Sequence, residues 1–298
     1  MAVRIRERIM GFAFVLLLMI AVGSVAAAQD SVSKGGRTVG NKAPFAPFTF
    51  VQAGDPQMGF GASIEKDRDN FIRAGKKAKE LGAAFVLVCG DLVHNRTPQE
   101  FEALDAALKT FETPVLLVPG NHDLTNMADL KTYREKRGED YYRFTFNNCE
   151  FIALNTMTLL HVPEGVTGPE WPAEQEKQWA WLEATLAEAK KQGRDHIFIF
   201  THFPPFGTAE DEKETYFNFP MPKRQKFLKL VRENGVEFIL TGHSHRTTEY
   251  RSPDGKFSIR TVAGTAKVFD LTPMGVRRFN VTGRDEVKQE FVPLDKGR

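Results

Sequence analysis

Five short blocks of this sequence carry side chains that commonly bind metal ions, and each block directly follows a short apolar run. Such runs are typical of buried parallel strands, and a parallel sheet gathers the residues that follow its strands at one edge. We therefore expect five strands to deliver carboxylate, amide and imidazole groups to one edge of one sheet, as a two-metal centre requires. The blocks are Gly54-Asp55-Pro56-Gln57, Gly90-Asp91-Leu92-Val93-His94-Asn95, Gly120-Asn121-His122-Asp123, Thr201-His202 and Gly242-His243-Ser244-His245.

Strands and helices alternate around these blocks. Apolar runs predict strands at residues 48–51, 85–89, 115–118, 197–200 and 236–240. A capping box at Thr97-Pro98-Gln99-Glu100 starts a helix that runs to about Thr110, and Asn234-Gly235 ends a later one. Further helices are predicted at residues 67–81 and around the apolar face of Trp179, Leu182 and Leu186, and a hairpin turns at Asn147-Asn148.

Four short strands follow the last block, at about residues 247–250, 258–262, 277–281 and 287–292. We expect them to form a second, largely antiparallel sheet. The predicted fold class is therefore α/β, a four-layer αββα sandwich of two mixed sheets flanked by helices. Since a cut between the blocks would divide the metal centre, we expect one domain over residues 48–298.

The N-terminal segment predicts export. Arg4, Arg6 and Arg8 precede an apolar stretch at residues 9–22, which ends in Ala26-Ala27-Ala28. This pattern is typical of a secretory signal peptide over residues 1–28, with cleavage after Ala28 and a secreted or periplasmic product. The alternative is a retained membrane anchor, although a bilayer span needs roughly 17–25 apolar residues. Residues 29–47, rich in Ser, Gly and Pro, are expected to form a flexible leader.

The charge balance argues against a nucleic-acid partner. The whole chain has 40 Lys and Arg against 38 Asp and Glu. Residues 1–28 hold three of the Arg and one Glu, so 37 basic and 37 acidic residues remain without them. Binding to a nucleic-acid backbone requires clustered positive charge, and no basic stripe with interleaved aromatic residues is present. The sequence leaves the oligomeric state open.

The ordered blocks resemble those of the calcineurin-like metallophosphoesterase superfamily. The resemblance implies a first metal ion bound by Asp55, Gln57, Asp91 and His245, and a second bound by Asp91, Asn121, His202 and His243, with Asp91 bridging the two. This donor set suits two divalent or trivalent ions of Mn, Fe, Zn or Mg and contains no thiolate that would select among them.

The resemblance also implies the reaction. A metal-bound hydroxide would attack the phosphorus atom of a phosphate ester, and His122 would act as general acid toward the leaving alkoxide. Asp123 is expected to orient the His122 ring. His94, Asn95 and Arg246 flank the blocks, where they either contact the substrate phosphate or fix a loop by hydrogen bonding. The aromatic and acidic loop at residues 204–218 is expected to wall the pocket.

One ligand position departs from the common family pattern, since most members have His where this chain has Gln57. An amide oxygen is a neutral, harder ligand than imidazole, so the first site is expected to be weaker and to favour Mn or Mg, unless Gln57 does not bind metal at all. A subgroup with Asp-x-Gln shares this feature and the Tyr216-Phe217-Asn218 segment. It comprises calcineurin-like phosphoesterase-domain-containing proteins described as serine/threonine phosphatases.

The leading prediction is an exported dinuclear-metal phosphoesterase, with phosphatase as its first form and phosphodiesterase as its second. A secreted, non-catalytic protein with a degenerate first metal site is the alternative from another class, and Gln57 is its only support. A nuclease is the third alternative, which the neutral charge opposes.

Overall fold

Eleven strands and six helices form the part of the chain that the computed structural model describes, residues 45–163 and 165–295. The strands are β1 (Phe48–Ala53), β2 (Val86–Cys89), β3 (Val115–Val118), β4 (Tyr142–Phe146), β5 (Cys149–Leu154), β6 (Ile197–Thr201), β7 (Phe238–Thr241), β8 (Thr248–Arg251), β9 (Ser258–Thr261), β10 (Gly275–Gly283) and β11 (Glu286–Pro293). The helices are α1 (Ile64–Glu80), α2 (Pro98–Leu108), α3 (Met127–Arg137), α4 (Thr156–Leu160), α5 (Glu170–Lys191) and α6 (Met221–Asn234).

The strands form two mixed sheets flanked by helices, which confirms the predicted fold class. Sheet one has the order β11-β10-β1-β2-β3, and sheet two has the order β4-β5-β6-β7-β9-β8. In sheet one, β1, β2 and β3 are parallel, while β10 and β11 pair antiparallel beside them. In sheet two, β5, β6, β7 and β9 are parallel, and β4 and β8 form antiparallel edges.

Two sequence-based expectations about the sheets were wrong. The five strands that precede the metal-ligand blocks do not share one sheet, because β1, β2 and β3 lie in sheet one whereas β6 and β7 lie in sheet two. The four C-terminal strands also do not form a sheet of their own. β8 and β9 extend sheet two, and β10 and β11 extend sheet one. Each sheet therefore combines earlier strands of the chain with strands from its C-terminal part, and each has a parallel centre with at least one antiparallel edge strand.

A layer of phenylalanine rings fills the space between the sheets. Phe50 of β1 meets Phe151 of β5 and Phe198 of β6 edge to face, with ring centroids 5.2 Å apart in both pairs. Gln52 lies two residues further along β1 and so points to the same side. Its buried amide Nε2 donates to the carbonyls of Thr241 and Arg260 in sheet two, 2.9 Å away in both cases. The interface thus becomes polar toward the carboxyl ends of the strands, where the ligand blocks follow.

Several local signals act as the sequence predicts. Thr97 and Glu100 form the expected capping box at the start of α2, and Gly235 ends α6 with a left-handed φ of 71°. Asn147 and Asn148 both adopt positive φ in the β4–β5 turn.

The predicted signal peptide and residues 29–44 of the predicted leader lie outside the described residues. The described residues, 45–163 and 165–295, fall within one compact unit. Among them, none of the helices has the length and apolar character that a bilayer crossing demands.

Candidate metal centre

The ligand-bearing loops approach one another very closely, and this approach requires glycine at strand ends. A Cβ atom on Gly120, after β3, would lie 2.1 Å from Asp91 Oδ1 and 2.4 Å from the Asp91 nitrogen. A Cβ on Gly242, after β7, would lie 2.7 Å from Asp55 Oδ2. Because side-chain atoms do not tolerate such distances, only glycine lets the loops of the two sheets meet here.

Five of the predicted ligands form two overlapping clusters of buried side chains. Within each cluster, the candidate ligand atoms all lie within 4.8 Å of one another. His202 Nε2 is 3.2 Å from Asp91 Oδ1, and His245 Nε2 is 4.0 Å from Asp55 Oδ1. The clusters are Asp91 with His202 and His243, and Asp55 with Asp91 and His245. Asp91 belongs to both, as a bridging ligand would.

Each of the three histidines has one ring nitrogen at a backbone carbonyl. The Nδ1 atoms of His202 and His245 lie 2.8 Å from the carbonyl oxygens of Cys89 and Lys267, and His243 Nε2 lies 3.2 Å from that of Tyr216. When the nitrogen at the carbonyl carries the proton, the other ring nitrogen has a free lone pair that can bind a metal ion. In His202 and His243 these second nitrogens are Nε2 and Nδ1, and they lie 3.2 Å apart. Metal-binding histidines are usually held in this way.

The two amide residues are oriented by neighbouring side chains. Asn121 donates from Nδ2 to the Tyr216 hydroxyl at 2.8 Å, and its Oδ1 lies 3.1 Å from His202 Nε2. Gln57 Nε2 lies 3.2 Å from His94 Nδ1, while the buried Gln57 Oε1 has no hydrogen-bond partner. A buried amide oxygen without a partner costs about 1–3 kcal/mol, so this atom calls for a further partner.

The backbone of the centre is strained. Five of the seven predicted ligands have positive φ, a conformation that costs about 1–3 kcal/mol for a residue other than glycine. They are Asp55 (32°), Gln57 (28°), Asp91 (47°), His243 (67°) and His245 (52°). Such strain persists only where the surrounding structure enforces it, and it is concentrated at functional sites.

Burial and mutual charge shift the titration of the cluster. Burial raises the pKa of Asp55 to about 6, against the effect of the His245 and His202 rings. Burial also opposes ionisation of Asp91, but the neighbouring His202 outweighs it and holds the pKa of Asp91 below its usual range. The pKa of His202 is raised to about 9 because the Asp91 carboxylate outweighs its burial. Burial, followed by the charge of His202, lowers the pKa of His243 to about 3. Without a metal ion, Asp91 and His202 thus favour each other's charged forms, whereas burial favours the neutral form of His243.

His122 is held differently from the sequence-based expectation. Its backbone N–H donates to Asp91 Oδ1 at 2.9 Å, and its ring Nδ1 lies 2.9 Å from the carbonyl oxygen of His94. The Asp123 carboxylate instead accepts hydrogen bonds from the backbone N–H groups of Gly120, Leu92 and Val93. The expectation that Asp123 orients the His122 ring was therefore wrong. Asp123 ties the loops after β2 and β3 together.

The three flanking residues have different surroundings. The half-buried His94 ring stacks on that of His122, with centroids 4.6 Å apart, and thus lies at the centre. The Asn95 amide donates to Glu100, as expected for a residue that fixes a loop. Arg246 is exposed on the turn after His245. A contact of any of these residues with substrate stays a prediction.

Sequence reasoning missed several residues at the centre. The Phe60 ring lies 4.8 Å from the ring of His94 and 5.2 Å from that of His245. Phe269 lies 4.9 Å from His245, and the Lys267 ammonium group lies 5.0 Å above Phe60. Arg96 Nη1 donates to the His122 carbonyl at 2.7 Å. Phe60 could have been identified only by its position in a loop beside a ligand block. Lys267 and Phe269 lie more than twenty residues after the last block, so the sequence offers no signal for them.

The donor set fits metal ions of the expected kind. Two buried carboxylates, two amides and three imidazoles lie at the ends of five strands, the histidines have the carbonyl contacts typical of ligands, and Gln57 Oε1 has no other partner. Oxygen and imidazole donors suit Mn, Fe, Zn or Mg. The geometry can therefore hold two cations, with His122 beside them.

Comparisons with known proteins agree with this centre. The family model described as calcineurin-like phosphoesterase matches residues 48–247. The serine/threonine-protein phosphatase CPPED1 of Rattus norvegicus is 30% identical over 224 residues, which are 67% of this chain and 70% of that protein. The glycerophosphodiester phosphodiesterase GpdQ of Enterobacter lignolyticus is 28% identical over 174 residues, 56% of this chain and 58% of that protein.

A solved structure shows the same fold. The dimetal phosphatase from Danio rerio superimposes with a TM-score of 0.64 at 16% identity, covering 81% of this chain and 98% of that one. The predicted superfamily and its phosphatase subgroup are confirmed, and with them the prediction of an enzyme. This chain belongs to the calcineurin-like phosphoesterase family and is a metal-dependent phosphoric ester hydrolase.

Proposed function

We propose that this protein is an exported phosphatase that hydrolyses phosphate monoesters at a dinuclear metal centre. Asp55, Gln57, Asp91 and His245 would hold one ion, and Asp91, Asn121, His202 and His243 would hold the other. The observation that carries the proposal is the pair of overlapping clusters that share Asp91. The phosphatase relatives support monoesters as the substrate class.

Two bound ions would offset the charge of the phosphoryl oxygens and lower the pKa of a water molecule, so that a nucleophile is available at neutral pH. The protein contributes fixed geometry. Buried carbonyls orient the imidazoles, Asp123 joins two ligand loops, and the glycines allow close approach. Because these groups are positioned before substrate binds, little reorganisation is needed during the reaction.

His122 is the proton donor in this proposal. Hydrolysis breaks the bond between phosphorus and the ester oxygen, water supplies the replacing oxygen, and the leaving alkoxide takes a proton. The contact between His122 Nδ1 and the His94 carbonyl leaves Nε2 as the atom that holds the transferred proton. General acid catalysis of this kind contributes about 10²- to 10⁴-fold.

A diester substrate is the second candidate, because the relative from Enterobacter lignolyticus is a glycerophosphodiester phosphodiesterase. Export is proposed from the Arg-rich start, the apolar stretch and the Ala-Ala-Ala end of residues 1–28. N-terminal sequencing of the protein recovered from an extracytoplasmic fraction should begin at Gln29. A product that starts at Met1 would refute cleavage after Ala28.

The test combines metal analysis with turnover. We expect about two metal ions per chain and faster hydrolysis of p-nitrophenyl phosphate than of bis-p-nitrophenyl phosphate in Mn, Zn, Fe or Mg. Asp91→Ala should abolish both metal binding and turnover. His122→Ala should keep the metals and lose about 10²- to 10⁴-fold in the rate for an alkyl ester such as glycerol 1-phosphate, whose leaving alkoxide needs a proton, and should lose less with p-nitrophenyl phosphate. Asp69→Ala, at an exposed position on α1, is the matched control.

Either of two results would overturn the assignment. Faster turnover of the diester would make the protein a phosphodiesterase. Unchanged turnover of glycerol 1-phosphate in His122→Ala would remove the proposed acid.

A further inference from the structure

The exposed apolar side chains of this protein are concentrated at the metal centre. Five large hydrophobic side chains are exposed within residues 45–163 and 165–295, and the three aromatic ones all contact a histidine of the clusters. The five are Val162, Tyr216, Phe217, Phe269 and Leu271. Exposed apolar groups beside a buried polar centre are typical of a ligand-binding surface. The inference drawn from them rests on the proposed function.

One wall of the centre is formed by the loop between β6 and α6. The rings of Tyr216 and Phe217 lie 5.1 and 5.4 Å from the ring of His243 and meet each other edge to face at 5.2 Å. Tyr216 is 62% exposed and Phe217 is 48% exposed, so both rings retain free faces. The hydrogen bond from Asn121 to the Tyr216 hydroxyl fixes this wall relative to the predicted ligands.

A second wall comes from two other loops. Phe269, which is 45% exposed, contacts His245 and lies 6.0 Å from Phe60. The Lys267 ammonium group lies above both of these rings, at 5.0 and 5.5 Å. The backbone N–H of Phe269 donates to the His245 carbonyl at 2.8 Å, which ties this wall to a predicted ligand.

Two side chains, Glu212 and Arg224, hold the first wall in place through several hydrogen bonds each. The Glu212 carboxylate accepts hydrogen bonds from the backbone N–H groups of Gly207, Thr208 and Ala209 and from the Asn218 amide. The fully buried Arg224 donates to the carbonyls of Glu210, Glu212 and Phe219. A loop fixed in this way loses little conformational entropy when a ligand binds to it.

We propose that Tyr216, Phe217, Phe60 and Phe269, together called the aromatic rim, bind the alcohol part of the substrate, and that the preferred substrates are phosphate esters whose alcohol carries an aromatic ring. The rings of the rim offer faces and edges to another ring. A small polyhydroxylated alcohol would lose water there without gaining equivalent hydrogen bonds.

The test compares esters of primary alcohols, whose phosphate bonds have similar intrinsic reactivity. The metal-loaded protein is assayed with 2-phenylethyl phosphate, n-hexyl phosphate, glycerol 1-phosphate and O-phosphoserine. We expect kcat/KM for the phenylethyl ester to exceed that for glycerol 1-phosphate by about 10- to 100-fold, since each ring contact is worth about 2- to 10-fold. Hexyl phosphate and O-phosphoserine should fall below the phenylethyl ester.

Variants identify the rings responsible. Phe217→Ala and Phe269→Ala should each lower the preference for the phenylethyl ester over glycerol 1-phosphate by about 2- to 10-fold, because turnover of glycerol 1-phosphate falls less than that of the phenylethyl ester. Phe217→Leu keeps apolar area and should lose most of the same preference. Leu271→Ala, two residues from Phe269 and fully exposed, should change neither substrate.

A binding measurement separates this inference from the proposed function. Phenylphosphonate should bind the metal-loaded protein more tightly than methylphosphonate by calorimetry, and Phe217→Ala should reduce the difference. The inference is overturned if the two phosphonates bind equally, if hexyl phosphate matches the phenylethyl ester, or if the Phe variants lower both esters in parallel. If no ester is turned over, the proposed function fails, and the phosphonate comparison still decides the role of the rim.

Discussion

The side chain of Gln57 offers a test in which the sign of a stability change depends on metal. Its Oε1 is buried without a hydrogen-bond partner, and its Nε2 makes one contact, with His94. Gln57→Leu keeps a similar shape and is also unbranched at Cβ, so the positive φ of 28° costs both residues about the same. We expect the substitution to leave the metal-free protein at least as stable while weakening the metal-loaded protein.

The magnitudes follow from the contacts. Removing the unpartnered oxygen gains about 1–3 kcal/mol, and losing the hydrogen bond to His94 costs about 0.5–1.5 kcal/mol. The free energy of unfolding without metal should therefore stay constant or rise by about 1 kcal/mol. If the lost ligand weakens affinity about 100-fold, metal at 100 times the original Kd stabilises by about 0.4 instead of about 2.7 kcal/mol.

The assay is urea unfolding of the wild type and the variant, each with excess chelator and with Mn. Gln52→Leu is the matched control, because Gln52 is equally buried and its Oε1 likewise has no hydrogen-bond partner, but Gln52 is not a predicted ligand and its Nε2 donates to two carbonyls across the sheets. That control should change the stability of the metal-free and metal-loaded forms by the same amount. If Gln57→Leu lowers both forms equally as well, Gln57 is a packing residue and the reasoning about its oxygen is refuted.

Three further predictions concern the surroundings of the centre. Asp123→Asn should lower the free energy of unfolding by about 1–3 kcal/mol in urea titrations, because one backbone N–H then faces an NH₂ group. An unchanged free energy of unfolding would contradict the role of Asp123 in joining the two loops. Gly120→Ala should displace Asp91, reduce the metal content and lower kcat/KM by at least about 10²-fold. Gly283→Ala is the control, because its Cβ would have its nearest contact at 3.5 Å, and it should change neither quantity. Normal metal content in Gly120→Ala would contradict the close-approach argument. Although burial opposes it, hydrogen bonds to Glu237 and to the Gly283 carbonyl raise the pKa of His196, so its contribution to stability is complete below pH 6.5 and is lost as pH rises through the raised pKa. The stability difference between wild type and His196→Gln should accordingly shrink above pH 6.5 in urea titrations, and a difference that grows with pH would contradict the shift.

Local patterns predicted the elements that carry the site. The run at residues 115–118 matches β3, and the capping box starts α2 as expected, because apolar runs and caps act over a few neighbouring residues. Sheet membership is different. The run before Asp91 and the run before His202 are both short and fully buried, and nothing in either shows that one strand joins sheet one and the other sheet two. Pairing across a sheet is a long-range choice that local composition does not encode.

The same limit explains the error about Asp123. A carboxylate next to a histidine in sequence is a reasonable partner for it, yet adjacent side chains diverge when the backbone turns sharply. The Asp123 side chain meets three backbone N–H groups from two loops, and that convergence exists only after β2 and β3 have paired. The sequence pointed to the loop at residues 204–218 as a wall of the pocket, and Tyr216 and Phe217 of that loop do lie at His243. The other half of the aromatic rim was beyond reach for a related reason, since Phe60 and Phe269 are about two hundred residues apart and meet only through the fold.

The division of the site between the sheets has a consequence for stability. The predicted oxygen donors, Asp55, Gln57, Asp91 and Asn121, all follow strands of sheet one, whereas the predicted nitrogen donors, His202, His243 and His245, all follow strands of sheet two. Neither sheet alone therefore provides either complete ligand set. Ions held by residues of both sheets would link the sheets at the end where the phenylalanine layer gives way to buried polar groups. Strained backbone and buried charged side chains lie at that end, so apolar contacts stabilise the sheet interface least there. Metal binding would therefore be coupled to the docking of the two sheets, and a substitution that loosens this docking should reduce metal affinity even when it touches no ligand.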